Sequence, residues 1–282
     1  AINAGLSGVY AYPGTPSTEI TEYIQNHPLA KERGIHSRWC TNEKTAMEAA
    51  LGMSYAGKRA LVCMKHVGMN VCADAFVNSA ITGVKGGLIV LAADDPSMHS
   101  SQNEQDSRHH AIAAKVPMLE PADSEEALAF TKLAYELSER FDTPVIIKMC
   151  TRVAHSQSVV ETGERVPQEK PYEKNIAKYV MMPGNAKKRH PIVEERTRAL
   201  TEYAETGPLN RIEKGTGDVG IITCSTSYQY VKEVFGDEAH ILKLGMTNPL
   251  PVELIRNFAA QVKELYVVEE LAISSRKNFV CP

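Results

Sequence analysis

The chain has 282 residues, of which 43% are hydrophobic and 23% charged, and its formal net charge is −3. That length and apolar content build a sizeable core and favour two domains over one. The charge balance excludes the basic footprint of a nucleic-acid binder, and no apolar run reaches the roughly 20 residues of a membrane span.

The first segment, AINAGLSGVYAYPG, opens with a helix remnant and continues into an apolar run, GVYAY, that predicts a strand. The Thr15-Pro16 pair predicts a helix start, with Thr15 as N-cap and Pro16 at the first helical position, where its missing donor wastes nothing. Another helix opens in SRWCTNEKTAMEAALG, where Ala46, Ala49, Ala50 and Gly52 form a face of small residues that predicts close packing. Glu43 stands at its head. A first-turn glutamate complements the helix dipole, and that reading stands beside a chemical one.

RALVCM then predicts a strand followed by a helix near Asn70, and GGLIVLAA, KVPML and PVIIKMC predict further strands. Between the last two, PADSEEALAFTKLAYELSERF predicts a helix capped by Asp123 or Ser124, with Ala127, Phe130, Ala134 and Leu137 facing the core. This βα alternation implies an α/β fold whose parallel sheet is covered on both faces.

From residue 156 to 217 the pattern dissolves into polar, proline-bearing sequence. It reads as a linker with a solvated basic cluster, Lys187, Lys188 and Arg189, and a bridging helix in IVEERTRALTEYAE. A second βαβαβ set follows: DVGIITC, a helix from Tyr228 to Phe235, HILKLG, a helix from Val252, and ELYVVEE. The expected domains are therefore 1–155, a linker over 156–217, and a smaller α/β unit over 218–282.

Ligands of open parallel sheets bind at the carboxyl ends of the strands, so the loops there are the places to look for chemistry. YPGTPSTE presents the Thr15 hydroxyl at a helix start suited to an anion such as a carboxylate, with simple N-capping as the alternative. KHVGMN sets Lys65 and His66 side by side, where a structural histidine is the plainer reading. DDPSMHSSQNEQDSRHH carries Asp94, Asp95, His99, Asn103, Glu104, Asp106 and Arg108, more donors and acceptors than a turn requires. A hydrolase using Asp94 and Asp95 is disfavoured, because adjacent residues seldom point the same way. There is no GxSxG elbow, Walker loop, HExxH helix or GxGxxG turn. The six cysteines stand singly, outside metal-ligand spacing, and the N-terminus lacks a signal-peptide pattern. Cys63, Cys150 and Cys224 sit in or beside strand-like runs, as buried reduced thiols of a cytoplasmic protein do.

YPGTPSTE, NEKTAMEAALGMSYAGKRALVCMKHVGMNV, GGLIVLAADDP and HSSQNEQDSR occur in an order and spacing that resemble one family. It is the alpha subunits of indolepyruvate ferredoxin oxidoreductases, within the thiamine diphosphate-dependent 2-oxoacid:ferredoxin oxidoreductases. The resemblance continues through ILKLGMTNPLP and LYVVEEL. It implies a domain binding the aminopyrimidine of thiamine diphosphate over 1–155, and a transketolase C-terminal-like domain, truncated, over 218–282. Glu43 matches the glutamate that hydrogen-bonds a ring nitrogen of the aminopyrimidine. A carboxylate sharing a proton there makes the cofactor's exocyclic nitrogen basic enough to deprotonate its own thiazolium carbon, more so in a dry pocket.

By the same resemblance Thr15 and Arg108 bind the substrate carboxylate, and His66 and Asn70 line the cofactor pocket. The implied activity is oxidative decarboxylation of an aryl 2-oxoacid onto coenzyme A, with electrons passed to ferredoxin in an anaerobe. A beta subunit completes the oligomer. Alternatives are another 2-oxoacid:ferredoxin oxidoreductase, a non-oxidative thiamine-dependent decarboxylase, or a non-catalytic assembly module. No GDG motif for a diphosphate-bound Mg2+ and no cysteine run for [4Fe-4S] clusters occurs. Both are expected beyond Pro282, with this chain a fragment that turns over poorly alone and holds no metal of its own.

Overall fold

The computed structural model describes residues 1–166 and 170–271. After a 3-10 turn at Ile2–Ala4 come β1 (Leu6–Ala11), α1 (Thr18–Asn26), α2 (Pro28–Glu32), β2 (His36–Trp39) and α3 (Glu43–Tyr55). Next are β3 (Arg59–Lys65), α4 (His66–Thr82), β4 (Leu88–Asp94), α5 (Arg108–Ala114), β5 (Met118–Leu119), α6 (Ser124–Phe141), β6 (Val145–Cys150) and α7 (Thr151–His155). They are followed by α8 (Ile176–Tyr179), α9 (Pro183–Thr206), β7 (Asn210–Glu213), β8 (Val219–Cys224) and α10 (Ser227–Phe235). The described part ends with β9 (His240–Leu244), β10 (Met246–Asn248), α11 (Val252–Ala259) and β11 (Glu264–Val268).

Among the described residues the strands form a seven-stranded sheet, ordered β10-β5-β6-β4-β3-β1-β2, and a four-stranded sheet, ordered β11-β8-β9-β7. Pairing is parallel except for β10 against β5 and β7 against β9. The large sheet is buried on both faces because its strands are apolar at successive positions. Leu61 and Cys63 of β3 join a core with Ile24, Phe130, Leu137 and Leu200 from α1, α6 and α9. Ala60, Val62 and Met64 face the other way, against Met47 and Ala50 of α3 and Met69 and Phe76 of α4. This is the two-sided layering that the βα alternation predicts.

The Asp123 cap forms as expected, its Oδ1 accepting from the Glu126 N–H at 2.9 Å. Other expectations are corrected. Helix α1 starts at Thr18 with Ser17, not Thr15, at the N-cap position. The Ser17 hydroxyl donates to the Gly14 carbonyl at 2.7 Å, and the Thr18 hydroxyl accepts from the Gly14 N–H at 2.8 Å, so these two side chains fold the turn. Gly52 lies on the exposed side of α3, whose packed face is Ala46, Met47, Ala50 and Ser54. Helix α2 and strand β2 were not announced by any pattern.

Much of 156–217 is not linker. Helix α9 packs on the large sheet's core through Leu200 and Ala204, and β7 belongs to the small sheet. Arg189 is buried rather than solvated, donating from Nε to the Ile81 carbonyl at 3.0 Å and from Nη2 to Asp142 at 2.9 Å. Arg196, two turns further along the same face of α9, donates to the carbonyls of Ala80 and Asp142, both at 2.8 Å. The two arginines thus satisfy carbonyls at the C-terminus of α4, which a helix cannot satisfy internally. The part of the small unit from 272 to 282 lies outside the described residues.

Candidate functional site

The carboxyl edge of the large sheet gathers Thr15 after β1, the head of α3 after β2, the head of α4 after β3, and residues 95–107 after β4. Asn42 caps α3: its Oδ1 accepts from the Thr45 N–H at 2.9 Å and from the Thr45 hydroxyl at 3.1 Å. The cap is therefore supplied without Glu43, whose side chain points into the protein with only 9% exposure. Among the described residues its carboxylate has no hydrogen-bond partner.

What Glu43 touches is the first turn of α4. A Cβ placed at Gly68 would stand 2.7 Å from its Cγ and 2.8 Å from its Oε1. One turn on, the Cys72 thiol is pushed up to about 12, mainly by burial and then by the nearby Glu43 carboxylate. Two residues before Gly68, His66 is fully buried, and neither Nδ1 nor Nε2 has a hydrogen-bond partner. Buried polar groups are nearly always satisfied, so the enclosed, unpaired imidazole of His66 is short of partners, and the Glu43 carboxylate on the neighbouring helix head has no protein partner either. Such a set suits a ligand that brings its own donors and acceptors.

The residues after β4 strap this edge. The buried Asp95 accepts from the Ser100 N–H at 2.8 Å, the Ser101 hydroxyl at 2.6 Å and the Thr151 hydroxyl at 2.6 Å. Burial works against the charge, but these hydrogen bonds outweigh it and hold the Asp95 carboxyl well below the usual range. Asp94 is tied to the Ser107 N–H at 3.1 Å; its carboxyl is raised, burial being the larger influence. Farther along, Lys65 donates to the Ser100 carbonyl at 2.7 Å, Asn70 to Gln105 at 2.8 Å, and the Ser100 hydroxyl to the Thr15 carbonyl at 3.3 Å. Asn70 and Thr15 are exposed, so they line the lip of this edge and not its interior.

Arg108 sits elsewhere than expected for a substrate arginine. It is buried between the two sheets, with Nε donating to Glu120 Oε1 at 2.7 Å and Nη2 to Glu120 Oε2 at 3.1 Å. Nη1 reaches Glu269 at 3.2 Å, and Nη2 reaches the Cys224 sulfur at 3.4 Å. Lys148 donates to the same Glu120 at 3.0 Å, and the Thr247 hydroxyl at 2.7 Å. Burial opposes charge on all three ionised groups, yet their mutual attraction wins. It holds Glu120 well below the carboxylate range and raises Arg108 and Lys148. This cluster joins β5, β6 and the head of α5 to the carboxyl ends of β8 and β11. The sequence signal for it was a lysine inside the apolar strand PVIIKMC. Gly68 has a sequence signal of its own, a glycine in a helix's first turn. Among the described residues no group of His, Cys, Asp and Glu is placed to hold a metal ion.

The chain is 42% identical over 280 residues to the indolepyruvate oxidoreductase subunit IorA of Archaeoglobus fulgidus, covering 96% of this chain and 45% of that protein. It is 44% identical over 282 residues to the IorA of Pyrococcus horikoshii, covering 95% and 43%. The chain thus spans less than half the length of these relatives. A more distant relative is the 2-oxoglutarate synthase subunit KorA of Archaeoglobus fulgidus, 26% identical over 298 residues, with 96% of this chain and 84% of that one covered. In fold, the chain matches a 2-oxoglutarate:ferredoxin oxidoreductase from Magnetococcus marinus with TM-score 0.76 at 20% identity, covering 98% of this chain and 56% of that one. A split-gene transketolase matches with TM-score 0.51 at 14% identity, covering 93% and 73%. The family model described as pyruvate flavodoxin/ferredoxin oxidoreductase, thiamine diP-binding, matches residues 1–209, and the chain belongs to that family.

Proposed function

We propose that this chain supplies the aminopyrimidine-binding part of a 2-oxoacid oxidoreductase subunit, acting on an aryl 2-oxoacid such as indolepyruvate. The observation that carries the reading is the Glu43 carboxylate, inward-pointing, almost wholly buried and without a partner. The residues present fit thiamine diphosphate: a carboxylate for a ring nitrogen, an unpaired buried imidazole at His66, and a close backbone approach at Gly68. When bound, the cofactor supplies a carbon nucleophile and an electron sink for decarboxylation. Glu43 holds a proton at the aminopyrimidine ring nitrogen, and the low dielectric of its site strengthens that hydrogen bond. The neighbouring Cys72, held as a neutral thiol, does not compete for the proton.

Thr15, exposed beside the strap, is assigned to the substrate carboxylate, with Asn70 on the same lip. Arg108 is reassigned: its donors serve Glu120 and the small unit, which makes it an organiser of the inter-sheet contact. The indolepyruvate preference rests on the names of relatives more than 40% identical. Coenzyme A as acyl acceptor, ferredoxin as electron acceptor and a beta subunit as partner follow the same relatives and the coenzyme A-bound neighbour. Mg2+ and iron-sulfur clusters are assigned to the half of those relatives that this chain does not span. Among the described residues no helix is long and apolar enough to cross a membrane.

The test is turnover by the full-length subunit with its partner, for Glu43→Gln against the unaltered protein. A loss of at least about 100-fold is expected, the size of a general acid-base contribution. Unchanged turnover would leave a non-catalytic module as the better reading. Competition among indolepyruvate, phenylpyruvate, pyruvate and 2-oxoglutarate then decides the substrate, with 2-oxoglutarate the alternative that the KorA relative favours.

A further inference from the structure

Helix α4 carries a glycine, Gly68, in its first turn, where alanine would be the better helix former. Glycine is usually kept at such a place for a left-handed backbone, and Gly68 is not among the residues with positive φ. Its backbone is open to any residue, so the reason for a glycine is space. That space is taken by one side chain. The three atoms nearest to a Cβ at Gly68 are Glu43 Cγ at 2.7 Å, Oε1 at 2.8 Å and Cδ at 3.0 Å. The encroachment falls on Cγ as well as on the carboxyl tip, so a small swing of the carboxylate alone does not relieve it. Glu43 is itself buried, and Ala46 and Met47, one turn on in α3, are wholly enclosed.

We propose that Gly68 is the positioning residue for Glu43: the bare backbone of α4 is the seat that fixes where the carboxylate points. Its steric part stands on geometry alone, and its consequence for the cofactor rests on the function proposed above. A seat of this kind leaves Glu43 little freedom to rearrange, so a proton acceptor is aimed before any ligand arrives. Displacing such a group by about 1 Å costs roughly 100-fold in a reaction that depends on it.

The experiment uses the full-length subunit in four forms: unaltered, Gly68→Ala, Glu43→Ala, and the two together. Without cofactor, Gly68→Ala lowers the thermal midpoint when Glu43 is present and raises it in the Glu43→Ala background, where the clash is gone and only helix propensity remains. A change of the same sign in both backgrounds overturns the seat. Should Gly68→Ala fail to fold, folding is restored by Glu43→Asp, one methylene shorter; no restoration also overturns it. With thiamine diphosphate titrated by calorimetry, Gly68→Ala weakens binding by about tenfold or more and adds no weakening in the Glu43→Ala background, where the side chain it displaces is gone. Equal weakening in both backgrounds contradicts action through Glu43. Reversal of the midpoint effect together with cofactor affinity indifferent to Glu43→Ala upholds the seat and defeats the proposed role of Glu43, so the two failures are told apart.

Discussion

Arg108 and Glu120 meet fork to fork, Nε to Oε1 at 2.7 Å and Nη2 to Oε2 at 3.1 Å, in the buried seam between the two sheets. Two cations, Arg108 and Lys148, share that one carboxylate. Removing it takes the nearest counter-charge from both, leaving Arg108 to Asp106 and Glu269 and Lys148 to Asp94 at 3.9 Å. Glu120→Gln is expected to cost about 3–5 kcal/mol in denaturant unfolding, as breaking one side of a buried pair does. Arg108→Lys keeps the charge but loses the second hydrogen bond and the reach to Glu269, and is expected to cost less while still loosening the seam.

The pH dependence of that effect has a definite sign. Burial would raise the Glu120 carboxyl, but Arg108 and Lys148 outweigh it and depress it. A depressed carboxylate contributes stability that is complete above its unfolded value, about 4.3, and is lost as pH falls toward the folded value. The stability gap between the unaltered protein and Glu120→Gln should therefore be full at pH 6–7 and narrow steadily below about pH 4. A gap that stays constant through acid would contradict the ion pairing.

Asp142 gathers three elements: it accepts from the Val84 N–H at 2.9 Å, Lys178 at 2.7 Å and Arg189 at 2.9 Å. Asp142→Ala leaves the buried Arg189 without its carboxylate, and its own left-handed backbone, φ 53°, suits alanine poorly. The expected cost is about 2–3 kcal/mol. Amide hydrogen exchange along α9 should accelerate with it, whereas exchange in α3 should not.

Asp95 anchors the strap at the carboxyl edge through Ser100, Ser101 and Thr151. Asp95→Asn weakens these charge-assisted bonds by about 1–3 kcal/mol in total. The strap's exposed stretch, 97–104, should then be cut faster in limited proteolysis, with a far smaller change in the global thermal midpoint. Equal cleavage rates would show that the strap is held by other contacts.

Much of this architecture was legible because it is local. Apolar runs alternating with amphipathic helices dictate the parallel sheet, and Asp123 before a helical pattern dictates its cap. The head of α3 was legible too, since a glutamate beside a run of small residues draws notice. What escaped depends on partners distant in the chain. Arg189 looks solvated until α9 lies across the end of α4, more than 100 residues back. Arg108 looks like a free anion binder until β5 and β11 bring Glu120 and Glu269 to it. Strands β7 and β10 are short and polar, and they exist because neighbouring strands need pairing, which no period in their own residues reveals.

The Glu43 carboxylate is expected to govern proton loss from the cofactor. Its most direct measure is the rate of hydrogen-deuterium exchange at the thiazolium carbon of thiamine diphosphate bound to the full-length protein, before substrate is added. Glu43→Gln should slow that exchange by roughly 100-fold to 10,000-fold at saturating cofactor. An exchange rate equal to that of the unaltered protein, with cofactor demonstrably bound, would contradict the account.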